Sequence, residues 1–216
     1  RSEGAGARLA LVDIKPDRLL DCCGPLRDEY GAKLFGNTDV TAKQSVQRLA
    51  GLVLDEFGRI DVLVNIAGGW RGGTPVYETE PETFDFLMNL NAKSVLLMAG
   101  AVAPHMIEQG SGKIVSISAS AGLKAQAGNS AYAASKAAVM RITEALSAEL
   151  KSHNINVNCV LPSTIDTEAN REMMPKADFD KWVAPEALAD VLLFLASDAS
   201  RAIHGAAIPV YGRVNV

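Results

Sequence analysis

The feature that most constrains this chain is its alternation of short β-branched runs with longer stretches of helical period. Residues 8–13, 33–37, 61–65, 113–118, 155–160 and 206–210 read as strands. Between them, residues 16–30, 41–57, 81–108, 130–152 and 185–195 read as helices. In 41–57, for example, Val46, Leu49, Ala50, Val53 and Leu54 fall on one face. The 61–65 run is apolar at its centre, as expected of a strand covered on both faces. Strands that alternate with helices of this length form a parallel sheet with right-handed crossovers. The expected fold class is α/β, one doubly wound domain over residues 1–216, with no linker, repeat or low-complexity tract to divide it.

Composition narrows the partners. At 216 residues the chain is long enough to bury a substantial core, and 48% hydrophobic with 21% charged residues is an ordinary globular balance. A net charge of -4 without long like-charge runs gives no reason to expect nucleic acid or an anionic membrane as partner. Cys22, Cys23 and Cys159 are an odd set with two adjacent members, which opposes a disulfide framework and predicts a reducing, cytoplasmic compartment. Residues 1–6 lack the apolar core of a signal peptide, and the richest apolar stretch, 95–107, is short and contains Pro104, so no membrane span is expected. His105, His153 and His204 lie far apart without metal-ligand spacing, so no metal is expected.

A sheet of this kind that binds a dinucleotide opens with a strand, a glycine-rich turn and a helix whose N-terminus receives the pyrophosphate. Gly4 and Gly6 precede a strand instead of following one, which suits a turn and not that motif. The missing strand and helix amount to about 20–30 residues. The expectation is therefore of a chain that has lost its N-terminal strand and glycine-rich turn.

Tyr132 and Lys136 stand four apart and so share one helix face. They open an apolar helix that follows a strand ending in Ser116 to Ser118 and a loop through Gly122. Asn65 to Gly68 directly follow a strand, Asn91 lies within a helix, and Pro162 to Thr167 follow the next strand. Together, from about Arg8 to Val210, these features resemble the short-chain dehydrogenase/reductase family, whose fold is Rossmann-like.

The resemblance implies hydride transfer between a nicotinamide cofactor and a carbonyl-like carbon of a small-molecule substrate. Tyr132 would exchange the proton. A phenol with a pKa near 10 is a poor acid–base at neutral pH, and a nearby Lys136 ammonium together with the positive nicotinamide ring would lower it. Lys136 would also hold the nicotinamide ribose, and Asn91 would bend its helix and hold a water linked to the lysine. Asp13 would read the adenosine ribose, favouring NAD over NADP, although an Asp before Lys15 and Pro16 also suits a turn. Asp39 and Val40 would flank the adenine, the small residues between Asn65 and Gly68, Ala67 included, would let the backbone approach the cofactor, and Pro162, Ile165 and Thr167 would border the carboxamide. Relatives pair the helix at 95–107 and the helix beginning near Tyr132 across a two-fold axis, which implies a homodimer or homotetramer.

One position departs from the family pattern. A serine normally three residues before the glycine at Gly122 is Ala119 here, and its loss can cost roughly 10²–10³ in rate. Ser118 and Ser120 flank it, but strand alternation points them away from its face, so Ser118 substitutes only if the backbone bulges. Quinonoid dihydropteridine reductases, one branch of the family, also carry alanine there. The blocks from Ala67 to Gly73 and from Leu161 to Thr167, with Asn170, Arg171 and Trp182, are similar to that branch. Trp70 would offer a flat ring a stacking surface, or serve as a packing anchor. A catalytically weak member kept for binding or assembly, and a general 3-oxoacyl or ketone reductase, are the alternatives.

Overall fold

The computed structural model describes residues 6–215. Gly4 lies outside the described residues, and Gly6 takes a left-handed conformation (φ 78°) in a turn ahead of the first strand. The order is β1 (Ala10–Val12), α1 (Pro16–Tyr30), β2 (Lys33–Phe35), α2 (Lys43–Phe57), β3 (Val62–Asn65), α3 (Pro81–Leu87), a π-helical turn (Met88–Lys93) and α4 (Ser94–Gln109). It continues with β4 (Gly112–Ile117), α5 (Ser130–Leu150), β5 (Ile155–Pro162), α6 (Glu168–Met173), α7 (Pro185–Ala196) and β6 (Ala207–Val210). Every element expected from the periodicity is present, with ends shifted by a few residues. Pro16, Pro81 and Pro185 start helices where their missing N–H costs nothing. Gly31, Gly58 and Gly110 stop α1, α2 and α4 in the left-handed conformation that frees the last turn.

All strand pairings are parallel. Strands β3, β4, β5 and β6 lie in that order in one sheet, while β1 and β2 pair in another. The single sheet read from the sequence is thus two parallel pieces among the described residues. Helices cover both faces of the larger one. Neighbouring residues of β4 enter different layers, as strand alternation requires: Ile114 packs with Leu63, Val102, Met106, Leu150 and Val157, and Val115 packs with Val160, Val183, Leu188 and Leu195. The first cluster is closed by α4 and α5, the second by α7. Strand β5, buried along all eight residues, runs through the centre.

The helix expected over 81–108 is not uniform. It passes through the π-turn that contains Asn91, while Pro104 sits inside α4 without ending it. The sequence reading of a short, proline-broken apolar stretch needs correction, since Pro81–Gln109 runs 29 residues and is apolar enough to cross a bilayer by length and composition alone. Its Val95, Ala99, Val102 and Met106 are instead buried within the protein, as a core helix requires.

Leu195, fully buried, anchors α7 to the second cluster. Leu195→Ala should lower unfolding free energy by about 2–5 kcal/mol, and Leu52→Ala on the exposed side of α2 by no more than about 0.5 kcal/mol. Urea titration measures both.

Candidate active site

Parallel strands deliver their carboxyl ends to one edge, where α/β sheets bind ligands. Asn65 ends β3, Ser118 and Ala119 follow β4, and Pro162 ends β5, three adjacent strands. Asp13 and Asp39 stand beyond the corresponding ends of β1 and β2.

Helix α5 is tied to the end of β4 at Lys136. Lys136 is only 5% exposed, and its side-chain amine donates to the Ile117 carbonyl at 3.0 Å. The Ser118 hydroxyl in turn donates to the Lys136 carbonyl at 2.8 Å. Close approach is possible because residue 122 is glycine: a Cβ there would sit 2.9 Å from the Lys136 carbonyl carbon. One turn earlier on the same face, Tyr132 presents its ring 5.9 Å from the Lys136 amine, a cation–π distance. The expected pair is therefore assembled.

Burial acts on both groups. It pushes the Lys136 ammonium down to about 8 and raises the Tyr132 phenol above its ordinary value. In the protein by itself the phenol therefore shifts upward, with burial as the cause. Tyr132 is a protonated phenol at neutral pH.

Asn91, buried inside the π-turn, binds the loop after β3 at both ends of its amide. It accepts from the Gly69 N–H at 2.8 Å and donates to the Gly69 carbonyl at 3.0 Å. It also donates to Ser135 Oγ at 2.9 Å, and that hydroxyl donates to the Tyr132 carbonyl at 2.7 Å. Gly68 fits between these groups, since a Cβ there would lie 3.0 Å from Asn91 Oδ1 and 3.3 Å from Lys136 Nζ. The loop continues to Trp70, 48% exposed, whose indole N–H donates to Asn129 Oδ1 at 3.0 Å. The Gly73 N–H donates to the Gly128 carbonyl at 2.8 Å, and Arg71 lies 3.5 Å over the Phe86 ring.

Several residues read from the sequence do something other than, or besides, the role expected. Ser118 is corrected as a substrate contact, because its hydroxyl is buried and spent on Lys136. Ala119 is buried in extended conformation, so no side-chain donor stands at its position. Asp13 does form the turn, accepting from the Lys15 N–H at 2.8 Å through one carboxylate oxygen. Asp39 accepts from the Thr41 N–H (2.8 Å) and hydroxyl (2.7 Å), which places its carboxylate in the turn before α2, next to half-buried Val40. Asn65 ties β3 to Ser116 of β4 at 3.1 Å. Thr167 caps α6 by accepting from the Asn170 N–H at 3.3 Å, and Asn170 also donates to the Ile165 carbonyl at 2.8 Å. Ala67 and Gly68 are exposed, and Pro162 is buried.

Sequence reasoning missed Asn129, Ser135 and the pair Asp166–Arg171. The last joins through two hydrogen bonds of 2.6 and 2.7 Å, and the guanidinium holds the Asp166 carboxyl below its usual range. Asn129, directly before a helix start, carried a capping signal, but its partner lies 59 residues away. One open surface cavity is lined by Asp166, Thr167 and Arg171 and another by Trp182, Val183 and Arg213, and neither is lined by Tyr132 or Lys136.

Residues 1–212 match the family model described as enoyl-(acyl carrier protein) reductase. The chain belongs to the short-chain dehydrogenase/reductase family. Members of this family are oxidoreductases, and the chain is an enzyme of that class. It is 37% identical over 182 residues to a 3-oxoacyl-(acyl-carrier-protein) reductase of Thermotoga maritima, covering 81% of this chain and 74% of that one. A D-threitol dehydrogenase of Mycolicibacterium smegmatis is 34% identical, covering 96% and 83%. Among solved structures, a gluconate 5-dehydrogenase from Burkholderia cenocepacia, in complex with NADP and tartrate, superposes with a TM-score of 0.89 at 31% identity, covering 97% of this chain and 86% of that one.

Keeping Lys136 charged at pH 7 costs on the order of 3 kcal/mol. Between about 8 and 10.5 the unfolded chain holds a proton that the folded chain has released, so stability rises with pH across that window. Below about 8 both states are protonated and the full cost remains. Lys136→Met should flatten this rise and melt higher than the parent at pH 7, measured by denaturation across pH.

Proposed function

We propose that the chain is an NAD(H)-dependent oxidoreductase that transfers a hydride between a nicotinamide cofactor and a small carbonyl or pterin-like substrate, with Tyr132 as acid and base. The observation that carries this reading is the Tyr132–Lys136 pair on one turn of α5, with the amine buried at the end of β4. The names of the relatives, a 3-oxoacyl reductase and a D-threitol dehydrogenase, support carbonyl and alcohol chemistry.

The residues present suit the cofactor. Lys136 has ammonium hydrogens beyond the one given to Ile117, a donor set for ribose hydroxyls. Gly68 leaves the room beside Asn91 and Lys136 that a Cβ would fill. Asp13 spends one oxygen on Lys15, and its second oxygen is suited to the adenosine ribose, where a carboxylate repels a 2′-phosphate. Asp39, Val40, Asn65, Ala67, Pro162, Ile165 and Thr167 lie at or just beyond the carboxyl ends of their strands, where they would border the cofactor. The cofactor, when bound, supplies or accepts the hydride at the substrate carbon.

Tyr132 donates its phenolic proton to the substrate oxygen in reduction and takes it back in oxidation. Burial keeps that proton on at neutral pH, ready for transfer to the substrate oxygen. The Lys136 ammonium stabilises the phenolate left behind. Asn91 holds the loop at Gly69 and, through Ser135, the helix turn that carries Tyr132. Ala119 leaves substrate activation to Tyr132, an arrangement suited to an electron-poor planar ring lying against Trp70. Ala119 also favours a second reading, a slow general ketone reductase or a weak member kept for binding.

The exposed apolar Leu96 and Ile107 on α4 support a homodimer or homotetramer formed through α4 and α5, and free cysteines support the cytoplasm.

Tyr132→Phe should lower kcat by roughly 10²–10⁴ while NADH binding, followed by fluorescence, is retained. Unchanged turnover would overturn the reading. Carbonyl reduction should decline as pH rises through about 8, where Lys136 loses its charge. Ala119→Ser should raise kcat/KM for simple ketones by about 10²-fold and help quinonoid dihydropterin much less. Equal gains on both would favour the ketone reductase.

A further inference from the structure

Helix α1 carries a cysteine pair that the chemistry above does not use. Side chains one residue apart on a helix diverge by roughly 100°. Cys22 Sγ and Cys23 Sγ nevertheless approach to 3.0 Å. Cys22 is exposed and Cys23 partly so, whereas Cys159 is fully buried in the core. The pair directly precedes Gly24 and Pro25, inside the helix. Pro25 has no N–H to give to the preceding turn, so the backbone is locally less restrained around the two thiols.

Two fates are open to adjacent thiols, and geometry separates them. A disulfide usually joins Cα atoms 4.4–6.8 Å apart, while consecutive residues are held at about 3.8 Å, so oxidation would have to unwind the helix. Burial and the neighbouring Cys22 thiol also push the Cys23 thiol up to about 11, which leaves little thiolate to attack an oxidant. A bridge through a third atom needs no such unwinding, and the oxygen that departs takes up the thiol protons. Each sulfur bonds to the bridging atom, and the two sulfurs remain near their present separation. Soft thiolate pairs select soft, thiophilic centres.

We propose that Cys22 and Cys23 form a vicinal dithiol site for soft trivalent species, monosubstituted arsenoxides foremost, held as a two-sulfur chelate. In the reaction the arsenic–oxygen double bond breaks and two arsenic–sulfur bonds form. The two thiol protons leave with the oxygen as one water. Arsenic stays trivalent, so no oxidant or reductant takes part. The site shares no residue with the Tyr132–Lys136 pair, and its existence is independent of the cofactor and substrate proposed above.

The test uses phenylarsine oxide at one equivalent on the full native chain, followed by intact mass, thiol titration and peptide mapping. The expected result is one phenylarsenic group per chain and loss of two titratable thiols, with release by 2,3-dimercaptopropanol but not by an equal concentration of monothiol. Cys22→Ser and Cys23→Ser should each lose the monothiol-resistant adduct, and Cys159→Ser should keep it, with circular dichroism confirming that each variant is folded. An adduct that survives either of the first two substitutions, maps to Cys159 or washes off with monothiol overturns the proposal. So does hydrogen peroxide converting the pair to a 22–23 disulfide faster than the arsenoxide is taken up.

Discussion

The buried Lys136 amine and its hydrogen bond to the Ile117 carbonyl hold the rest of the site together. The bond joins the carboxyl end of a central strand to the first turns of α5, and the Ser118 hydroxyl closes the same junction from the other side. An ammonium so placed is costly, since desolvation favours its neutral form. The chain tolerates the cost because α5 packs on an already complete core: Leu150 joins Met106, Ile114 and Val157 in the cluster beneath it. Packing of the apolar layers thus offsets the desolvation cost of the buried ammonium.

From that junction a second set of contacts spreads to the loop after β3. Asn91 binds both backbone groups of Gly69, Trp70 reaches Asn129, Gly73 reaches Gly128, and Arg71 stacks on Phe86. At two glycines of the segment a side chain would be crowded. At Gly72 a Cβ would lie 2.5 Å from Asn129 Oδ1, and at Gly69 it would lie 3.0 Å from Leu90 Cδ2. The loop is therefore latched to α3, the π-turn and the start of α5 together, and Trp70 is presented on a supported backbone.

Much of this arrangement was legible in the residues before any coordinates. The four-residue spacing of Tyr132 and Lys136 and the 3.6 and 2.0 periods located the elements and placed the two side chains on one helix face. Side-chain commitments were not legible. Ser118 faces away from Ala119 as alternation requires, but only the packing of α5 shows that its hydroxyl ends on the Lys136 carbonyl. Asp13 and Asp39 carried both a turn reading and a binding reading, and the structure shows turn bonds at each.

What the sequence determined by itself was local and periodic: strands, helices, the parallel sense of the sheet and the pairing of a phenol with an amine one helical turn apart. Tertiary structure decided everything that depends on residues brought together from far along the chain. It divided the described strands between two sheets and turned Asn91 toward Gly69 and Ser135. It also placed the Lys136 amine in surroundings dry enough to lower its pKa to about 8, and burial raised the phenol of Tyr132 as well. The reason is physical: periodicity is carried by neighbours within a few residues, whereas desolvation and hydrogen-bond choice depend on which distant atoms exclude the water.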